Sequence, residues 1–251
     1  MKNGRLDEIR LTLFFTADLS MQLWADLGMI DREMAIYDRL SRELKEVNIV
    51  TYGDRRDSYF AKDYAGVNIM PTRWFNSPIR TSAGLLMSYF SKIYRSDVLK
   101  TNQIHGSQVP LWLKRKFRKK LIVRCGYLFS YMTMKQTDDG DIVESAVTLE
   151  RDAFENADMG IVTTSWQREI VLNNYNVSEG NIKVIPNYVV TDIFAPDPSA
   201  EKKYDLIFVG RSGTQKNLYN LLEALFILRE RKRSYALLMV GSCCDDKELR
   251  E

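Results

Sequence analysis

Short apolar runs alternate with amphipathic stretches along most of this chain. Within residues 33–44 the apolar positions recur every three or four residues, which indicates a helix, and residues 85–94 and 141–156 are two further helix candidates. Strands are predicted for residues 10–16, 47–52, 67–71, 98–104, 121–125, 159–164 and 182–185. Because strands and helices alternate, we expect an α/β fold with parallel sheets and helices on both faces. Ligands of such sheets bind at the carboxyl ends of the strands.

A break in this pattern divides the chain. Residues 191–203 contain two prolines, are mostly polar and lack periodicity, which predicts a linker. It separates a predicted N-terminal domain, residues 1–190, from a second predicted domain, residues 204–251. The second domain contains two strand candidates and one helix candidate, which are too few to close a core of its own. We therefore expect this domain to be incomplete.

The most informative stretch lies at the start of the second domain. Residues 206–209 form a continuous apolar run, as in a strand buried on both faces, and a leucine-rich helix follows. Between them, Gly210 and Gly213 allow a tight turn, and Arg211 and Lys216 add two cations. The NH groups of a helix start, together with two cations, favour a phosphate or diphosphate ligand. An ordinary turn with two solvated cations is the alternative, since the spacing fits neither a P-loop nor a Gly-x-Gly-x-x-Gly fingerprint.

Composition narrows the classes of function. The 36 lysines and arginines exceed the 33 acidic residues by only three, so the net charge does not argue for nucleic acid. His105 is the only histidine, which excludes a His-rich metal site. Three cysteines without a Cys-x-x-Cys pair suggest a reducing compartment. Residues 1–10 do not resemble a secretory signal, and no apolar stretch reaches the roughly 18 residues of a membrane span, so a cytoplasmic protein is expected.

One short segment is strongly basic. Residues Lys114 to Lys120 place six cations within seven positions, next to Trp112, Leu113 and Phe117. A solvated helix end before the next strand is one interpretation of this segment. The other is peripheral contact with an anionic membrane surface, here the inner surface of the membrane. Nucleic acid is a weaker option, because the aromatic residues do not interleave with the cations as a stacking platform would require.

Four segments resemble motifs of glycosyltransferase family 4, and they occur in that family's order. Residues 157–165 are similar to its Ala-Asp-x-Ile…Ser strand, and residues 185–196 to its Ile-Pro-Asn-Gly…Phe-x-Pro domain junction. Residues 208–225 resemble its Val-Gly-Arg…Lys-Gly…Leu-Leu-x-Ala motif, and residues 237–241 resemble the strand that follows. The first 150 residues resemble the family mainly in the order of strands and helices.

The resemblance implies a GT-B architecture of two Rossmann-like domains and transfer of a sugar from a nucleotide diphosphate donor, with retention at the anomeric carbon. The N-terminal domain would hold a glycan or lipid-linked acceptor, and the C-terminal domain the donor. Fixed cations stabilise the negative charge that develops on the leaving diphosphate, so neither a metal ion nor another cofactor is expected. By resemblance, the predicted catalytic residues are Arg211, Lys216 and His105. The residues predicted to bind the donor are Gly28, Asn187, Gly210, Arg211, Gly213, Lys216 and Gly241.

Several positions depart from the family pattern. Tyr188 and Asn217 stand where glycines are usual, and Gly28 is the nearest glycine that could open the first helix. His105 follows a strand end, like a family histidine near the donor sugar, although a lone histidine is often structural. The Glu-x7-Glu motif that holds the donor lies beyond Glu251, so this chain alone is expected to be a poor or inactive transferase. Two alternatives stay open: a non-catalytic protein that binds a nucleotide sugar or a partner, and another Rossmann-type enzyme that binds a diphosphate.

Overall fold

The computed structural model describes residues 5–191, 194–210 and 216–241. The chain divides into two units, Met1–Val190 and Thr191–Glu251. The first unit is built on one large parallel sheet, and the described part of the second on two strands and a helix. No helix within these described ranges is both long and apolar enough to cross a lipid bilayer.

The sheet of the first unit consists of seven parallel strands between residues 5 and 190. Their bounds are β1 Arg10–Phe14, β2 Glu46–Thr51, β3 Val67–Pro71, β4 Val98–Thr101, β5 Lys120–Cys125, β6 Met159–Val162 and β7 Ile182–Val184. They lie side by side in the order β3-β2-β1-β4-β5-β6-β7. The direction of strand addition reverses between β1 and β4, because the chain extends the sheet on one side of β1 and then crosses to the other. The parallel α/β sheet that the alternating pattern predicts is confirmed.

Helices connect these strands on both faces. Their bounds are α1 Met21–Asp26, α2 Ile30–Ser41, α3 Pro78–Arg95, α4 Gln108–Phe117, α5 Phe129–Met134, α6 Gly140–Asn156 and α7 Ser165–Asn174, with 3-10 turns at Leu6–Glu8, Arg55–Lys62 and Glu179–Asn181. Right-handed crossovers place α1 and α2 on one face of the sheet and α3, α4, α6 and α7 on the other. Side chains fix the helix starts: Asp139 accepts two backbone NH groups of α6, and Thr164 forms a capping box with Gln167 at α7.

The core lies between the sheet and its helices. Leu13 and Phe14 of β1 and Ile49 of β2 are completely buried. Immediately after β1, the Phe15 ring stacks on Trp24 of α1 with 4.0 Å between the ring centroids. Burial of one such side chain stabilises the fold by about 1.5 to 3 kcal/mol. The central strands, and the loops that leave them, are therefore anchored in the core.

Some predicted boundaries were wrong in ways that shape the carboxyl edge of the sheet. β1 ends at Phe14 and β4 at Thr101, earlier than predicted, so longer loops follow both strands. The sequence pattern assigns no strand or helix to residues 17–27, but Met21–Asp26 within this stretch form α1. The helix forms because the Ser20 hydroxyl accepts the Leu23 amide at 3.0 Å, while two of its side chains are buried in the core.

In the second unit, β8 (Leu206–Val209) pairs in parallel with β9 (Leu237–Val240), and α8 (Leu218–Glu230) connects them. β8 was predicted to be buried on both faces, and this was wrong for the described chain. Ile207 and Val209 are 66% and 68% exposed, because one helix cannot cover both faces of a two-stranded sheet. Leu218 is the only fully buried side chain among the described residues of this unit.

Candidate functional site

The reversal between β1 and β4 creates a crevice of the kind in which open parallel sheets bind their ligands. The loop after β1 leads to α1 on one face, and the loop after β4 leads to α4 on the other. A hydrogen bond of 3.1 Å from the Ala17 amide to the His105 carbonyl joins the two loops. The carboxyl edge of this sheet is therefore the candidate functional site of the first unit.

The loop after β4 carries His105, the histidine that the sequence singles out. The next residue, Gly106, has a φ of 102°, and a Cβ atom there would lie 2.8 Å from the Ala17 amide nitrogen. Glycine alone tolerates both the backbone angle and the close approach. The His105 imidazole stacks on the Phe129 ring with 5.4 Å between centroids. Gly106 and Phe129 together fix the imidazole at the crevice.

The protonation state of His105 follows from its surroundings. Burial lowers its pKa below the ordinary value, and the Asp18 carboxylate partly opposes this shift. The imidazole is therefore neutral near pH 7, with one nitrogen that donates a hydrogen bond and one that accepts. Asp18 is exposed and has a φ of 61°. A neutral imidazole and a nearby carboxylate are suited to binding hydroxyl groups.

Four buried hydroxyl groups close to the carboxyl ends of the strands make no hydrogen bond to the described residues. They are Thr16 Oγ1 after β1, Thr51 Oγ1 on the last residue of β2, Tyr52 Oη after β2 and Ser107 Oγ just before α4. Burial raises the pKa of Tyr52, and the charge of Asp18 raises it further. A buried polar group without a partner costs free energy unless a ligand or water completes its hydrogen bonding. The sequence did not single out these hydroxyls, because their burial depends on the fold.

Two cations from neighbouring strands form the second part of the site. Lys100 of β4 donates from Nζ to the Tyr37 hydroxyl at 3.0 Å. Arg124 of β5 donates to Asn187 Oδ1 at 2.6 Å and to a backbone carbonyl after β4 at 3.2 Å. Neither cation lies within 4.0 Å of a carboxylate in the part of the chain that the structure describes. This pair is thus held by neutral partners and can accept an anionic group.

The electrostatics of the pair follow from its burial. Burial lowers the pKa of Lys100 to about 7, the charge of Arg124 lowers it as well, and Glu33 of α2 raises it. Lys100 is therefore only partly protonated at neutral pH. An anion bound beside it would favour the charged form. The one signal for Lys100 in the sequence is a lysine within an otherwise apolar strand.

Asn187, predicted to bind the donor, lies just beyond β7 and positions Arg124. Its neighbour Tyr188 stands where the family has glycine. The Tyr188 hydroxyl donates a hydrogen bond to the Arg32 carbonyl of α2. The chain after β7 is thus tied both to β5 and to α2, which gives the tyrosine a structural role.

Gly28 lies between α1 and α2, and α2 is the helix that the sequence predicts as the first. The Gly28 amide donates to the Ala25 carbonyl at 2.9 Å with a φ of 64°, so Gly28 ends α1, while α2 begins at Ile30. The buried Asp57 carboxylate accepts the first two amides of α1 at 3.1 and 3.2 Å. The start of α1 is therefore already occupied by a side chain of the protein.

The second unit places two of the predicted donor-binding glycines together. Gly241 has a φ of 116°, and a Cβ atom there would lie 2.2 Å from the Gly210 carbonyl oxygen. Only glycine permits this approach between the ends of β8 and β9. Lys216 is exposed, and its Cε lies 3.9 Å from the Cβ position at Gly210. Arg211 and Gly213 lie outside the described residues.

The six cations of residues Lys114 to Lys120 fall into two groups. Lys114 and Lys120 both pair with Asp158, and Arg115 pairs with Asp152 at 2.7 Å. Burial alone would raise the pKa of Asp158, but hydrogen bonds from the two lysines lower it to about 2. These three cations join α4 and β5 to α6 and the start of β6. The cations without an ion pair among the described residues are Lys116, Arg118 and Lys119.

The described residues hold no group of three or more His, Cys, Asp or Glu side chains that could bind a metal ion. Metal independence stays a prediction. Cys125 is completely buried, and its Sγ donates to the Tyr127 carbonyl at 2.9 Å. Burial raises its pKa above the ordinary value, so this thiol is a buried hydrophobic group rather than a nucleophile.

Comparison with solved structures identifies the class of fold. The lipopolysaccharide outer core galactosyltransferase WaaB aligns with 92% of this chain and 60% of its own, at a TM-score of 0.52 and 12% identity. Anabaena HepE in complex with UDP and glucose aligns with 93% of this chain and 70% of its own, at a TM-score of 0.56 and 11% identity. A glycosyltransferase from Rickettsia africae aligns with 94% of this chain and 61% of its own, at a TM-score of 0.63 and 14% identity. The fold is that of the GT-B, Rossmann-like glycosyltransferases.

This likeness extends to the fold and not to individual residues. No family model matches the sequence, and no curated protein matches it. The chain spans about three-fifths of the length of WaaB and of the Rickettsia africae glycosyltransferase. Membership of glycosyltransferase family 4 therefore stays a prediction.

Proposed function

We propose that the protein is a nucleotide-sugar-dependent glycosyltransferase of the family 4 type. It transfers a sugar from a nucleotide diphosphate donor to a glycan or lipid-linked acceptor, with retention at the anomeric carbon. The observation that carries this proposal is the GT-B fold shared with HepE, whose solved structures contain UDP and UDP-glucose. The site at the switch point between β1 and β4 supports it, because ligands of such sheets bind there.

The two units would divide the chemistry. Lys216, beside the close approach of Gly210 and Gly241, would bind the donor diphosphate together with Arg211. These cations would stabilise the charge on the leaving diphosphate, so the reaction would need no metal ion. In the first unit, the neutral imidazole of His105 and the unpartnered hydroxyls around it provide hydrogen-bonding groups for sugar hydroxyls.

Nucleotide binding tests the proposal. We would titrate UDP, GDP and NAD into the protein in the presence of EDTA and measure the heat of binding. One nucleoside diphosphate should bind without a divalent metal. Lys216→Ala and Arg211→Ala should each weaken this binding about tenfold to a hundredfold, as expected for a lost hydrogen bond between charged groups.

Lys202→Ala is the matched control, because Lys202 is an exposed lysine of the same unit. It should leave the affinity unchanged. Binding of NAD, with no binding of UDP or GDP, would refute the proposal and favour another Rossmann-type enzyme. Detectable donor hydrolysis or sugar transfer would exclude the non-catalytic alternative.

A further inference from the structure

We propose that one surface of the first unit docks on an anionic lipid bilayer. This basic aromatic surface consists of Phe90, Tyr94 and Arg95 on α3 and of Lys116, Phe117, Arg118 and Lys119 at the end of α4. It lies where α3 and α4 end, just before β4 and β5 begin. The surface is therefore at the amino edge of the sheet, opposite the carboxyl edge that carries the candidate site.

Aromatic rings form the centre of this surface. The Phe90 and Tyr94 rings stack with 5.5 Å between centroids, and Phe117 packs edge-on against them at 6.2 and 6.0 Å. Phe90 is nevertheless 53% exposed and Tyr94 55%. Rings that contact one another and remain half exposed form an apolar patch of the kind that marks an interaction site.

The four cations of this surface lie within two residues of Tyr94 or Phe117 in the sequence. Arg95, Lys116, Arg118 and Lys119 form no ion pair with a carboxylate of the described chain. Lys119 Nζ donates to the Tyr94 carbonyl at 2.5 Å and lies 5.3 Å from the centroid of its ring. The negative ends of the α3 and α4 dipoles favour cations at these positions. They do not explain why exposed aromatic rings lie among the cations.

Size and chemistry favour a lipid surface over a protein partner. Two half-exposed rings and part of a third offer roughly 250 Å² of apolar surface, about a third of what each partner buries in a stable protein interface. A bilayer needs no matching shape: aromatic rings enter the headgroup region while basic side chains bind anionic lipids. Single-stranded nucleic acid stacks its bases on ring faces, but here the Phe90 and Tyr94 rings already stack on each other.

Sedimentation with lipid vesicles tests this inference. The protein should bind vesicles of phosphatidylcholine mixed with phosphatidylglycerol, and not vesicles of phosphatidylcholine alone. Salt at about 1 M should release it, because the Debye length then falls to about 3 Å.

The cations are tested by a pair of double variants with equal loss of charge. Lys116→Gln with Arg118→Gln should lower the partition coefficient on anionic vesicles about 25-fold, at about fivefold for each cation. Arg39→Gln with Lys62→Gln removes two exposed cations elsewhere in the same unit and should change it less than twofold. An equal loss in both double variants would overturn the proposal, because bulk charge would then explain the binding.

The rings are tested separately. Phe90→Ser with Tyr94→Ser should lower binding to anionic vesicles about tenfold, whereas Tyr59→Ser, at an aromatic position 67% exposed elsewhere, should not. Circular dichroism would confirm that each variant keeps its helical content. Unchanged binding of the Phe90 and Tyr94 variant, or equal binding of the protein to neutral vesicles, would overturn the proposal. No binding to any vesicle would do the same.

Discussion

Replacing Lys100 with methionine removes a charge that the fold holds at a cost. The Lys100 ammonium group contacts the Tyr37 hydroxyl, and the charged groups that influence it are Arg124 of β5 and Glu33 of α2. Methionine has a similar length and no charge, so it fills the same space between β4 and α2. The variant isolates the effect of protonation on stability.

The size of the effect follows from the pKa of Lys100. It is about 7 in the fold, against 10.5 for an ordinary lysine. Between these values the unfolded chain binds a proton that the folded protein does not, so the free energy of unfolding rises with pH. Below about pH 7 the charge on Lys100 lowers the free energy of unfolding by about 5 kcal/mol. This loss disappears as the pH rises to about 10.5. From about pH 7 to about pH 9 this destabilisation falls by roughly 2 kcal/mol. It falls by about half of that where water screens the partly exposed Lys100.

Urea unfolding followed by tryptophan fluorescence measures this effect. The four tryptophans, Trp24, Trp74, Trp112 and Trp166, all belong to the first unit, so the signal reports on that unit alone. Near pH 7 the Lys100→Met variant lacks the destabilisation that the charge on Lys100 causes in the wild type. The stability of this variant relative to wild type should shrink by about 1 to 2 kcal/mol between about pH 7 and about pH 9.

The lost hydrogen bond to Tyr37 does not affect this difference, because burial raises the pKa of that hydroxyl far above the pH range used. Lys45→Met, at an exposed lysine between α2 and β2, is the control and should show no such change. A difference between Lys100→Met and wild type that stays constant with pH would refute the reasoning.

Two further predictions concern stability of the first unit. Gly106→Ala should lower the free energy of unfolding, measured by thermal unfolding, by about 2 kcal/mol or more. Alanine strains a φ of 102° and its Cβ meets the backbone of the loop after β1. Gly180→Ala, with open space around it, should be nearly neutral. Glu150→Ala should lower the free energy of unfolding in urea by about 3 kcal/mol. The buried Glu150 side chain accepts hydrogen bonds from the Ser130 amide, the Ser130 hydroxyl and the Tyr175 hydroxyl at 3.1, 2.9 and 2.7 Å. Glu150→Gln keeps an acceptor and should cost less. Equal losses in either matched pair would contradict the stated cause.

The sequence predicts the strands well because their apolar runs are local features. The prediction of a parallel sheet with helices on both faces is confirmed, whereas the strand order follows only from the structure. The helix α1 was missed because it is short, and because its start depends on the Asp57 carboxylate, which comes from beyond β2. The end of β1 was placed too late, since the apolar run continues into Phe15, which is buried in the loop. The end of β4 was placed too late because Ile104 is a buried apolar residue of the loop that follows.

The candidate site shows the same division between local and distant information. His105 was found because it follows a strand end, and the structure places it at the switch point. Its protonation state could not be predicted, since Asp18 and Phe129 lie far from it in sequence. The Lys100 and Arg124 pair was missed as a unit, because only the register of β4 beside β5 brings the two cations to one face.

The basic segment shows why counting charges overestimates a binding surface. In the sequence its six cations are equivalent, but three of them pair with Asp152 and Asp158, which lie 37 to 44 residues further along the chain. Those ion pairs hold helices and strands of the fold together, so these three cations are not free to bind a ligand. The remaining cations could still belong to a solvated helix end, as one interpretation of the sequence holds. The difference between that helix end and a docking surface lies in Phe90 and Tyr94, which α3 brings beside the cations from more than twenty residues earlier. The serine variants at these two rings are therefore the more decisive test, because the solvated helix end predicts no effect from them.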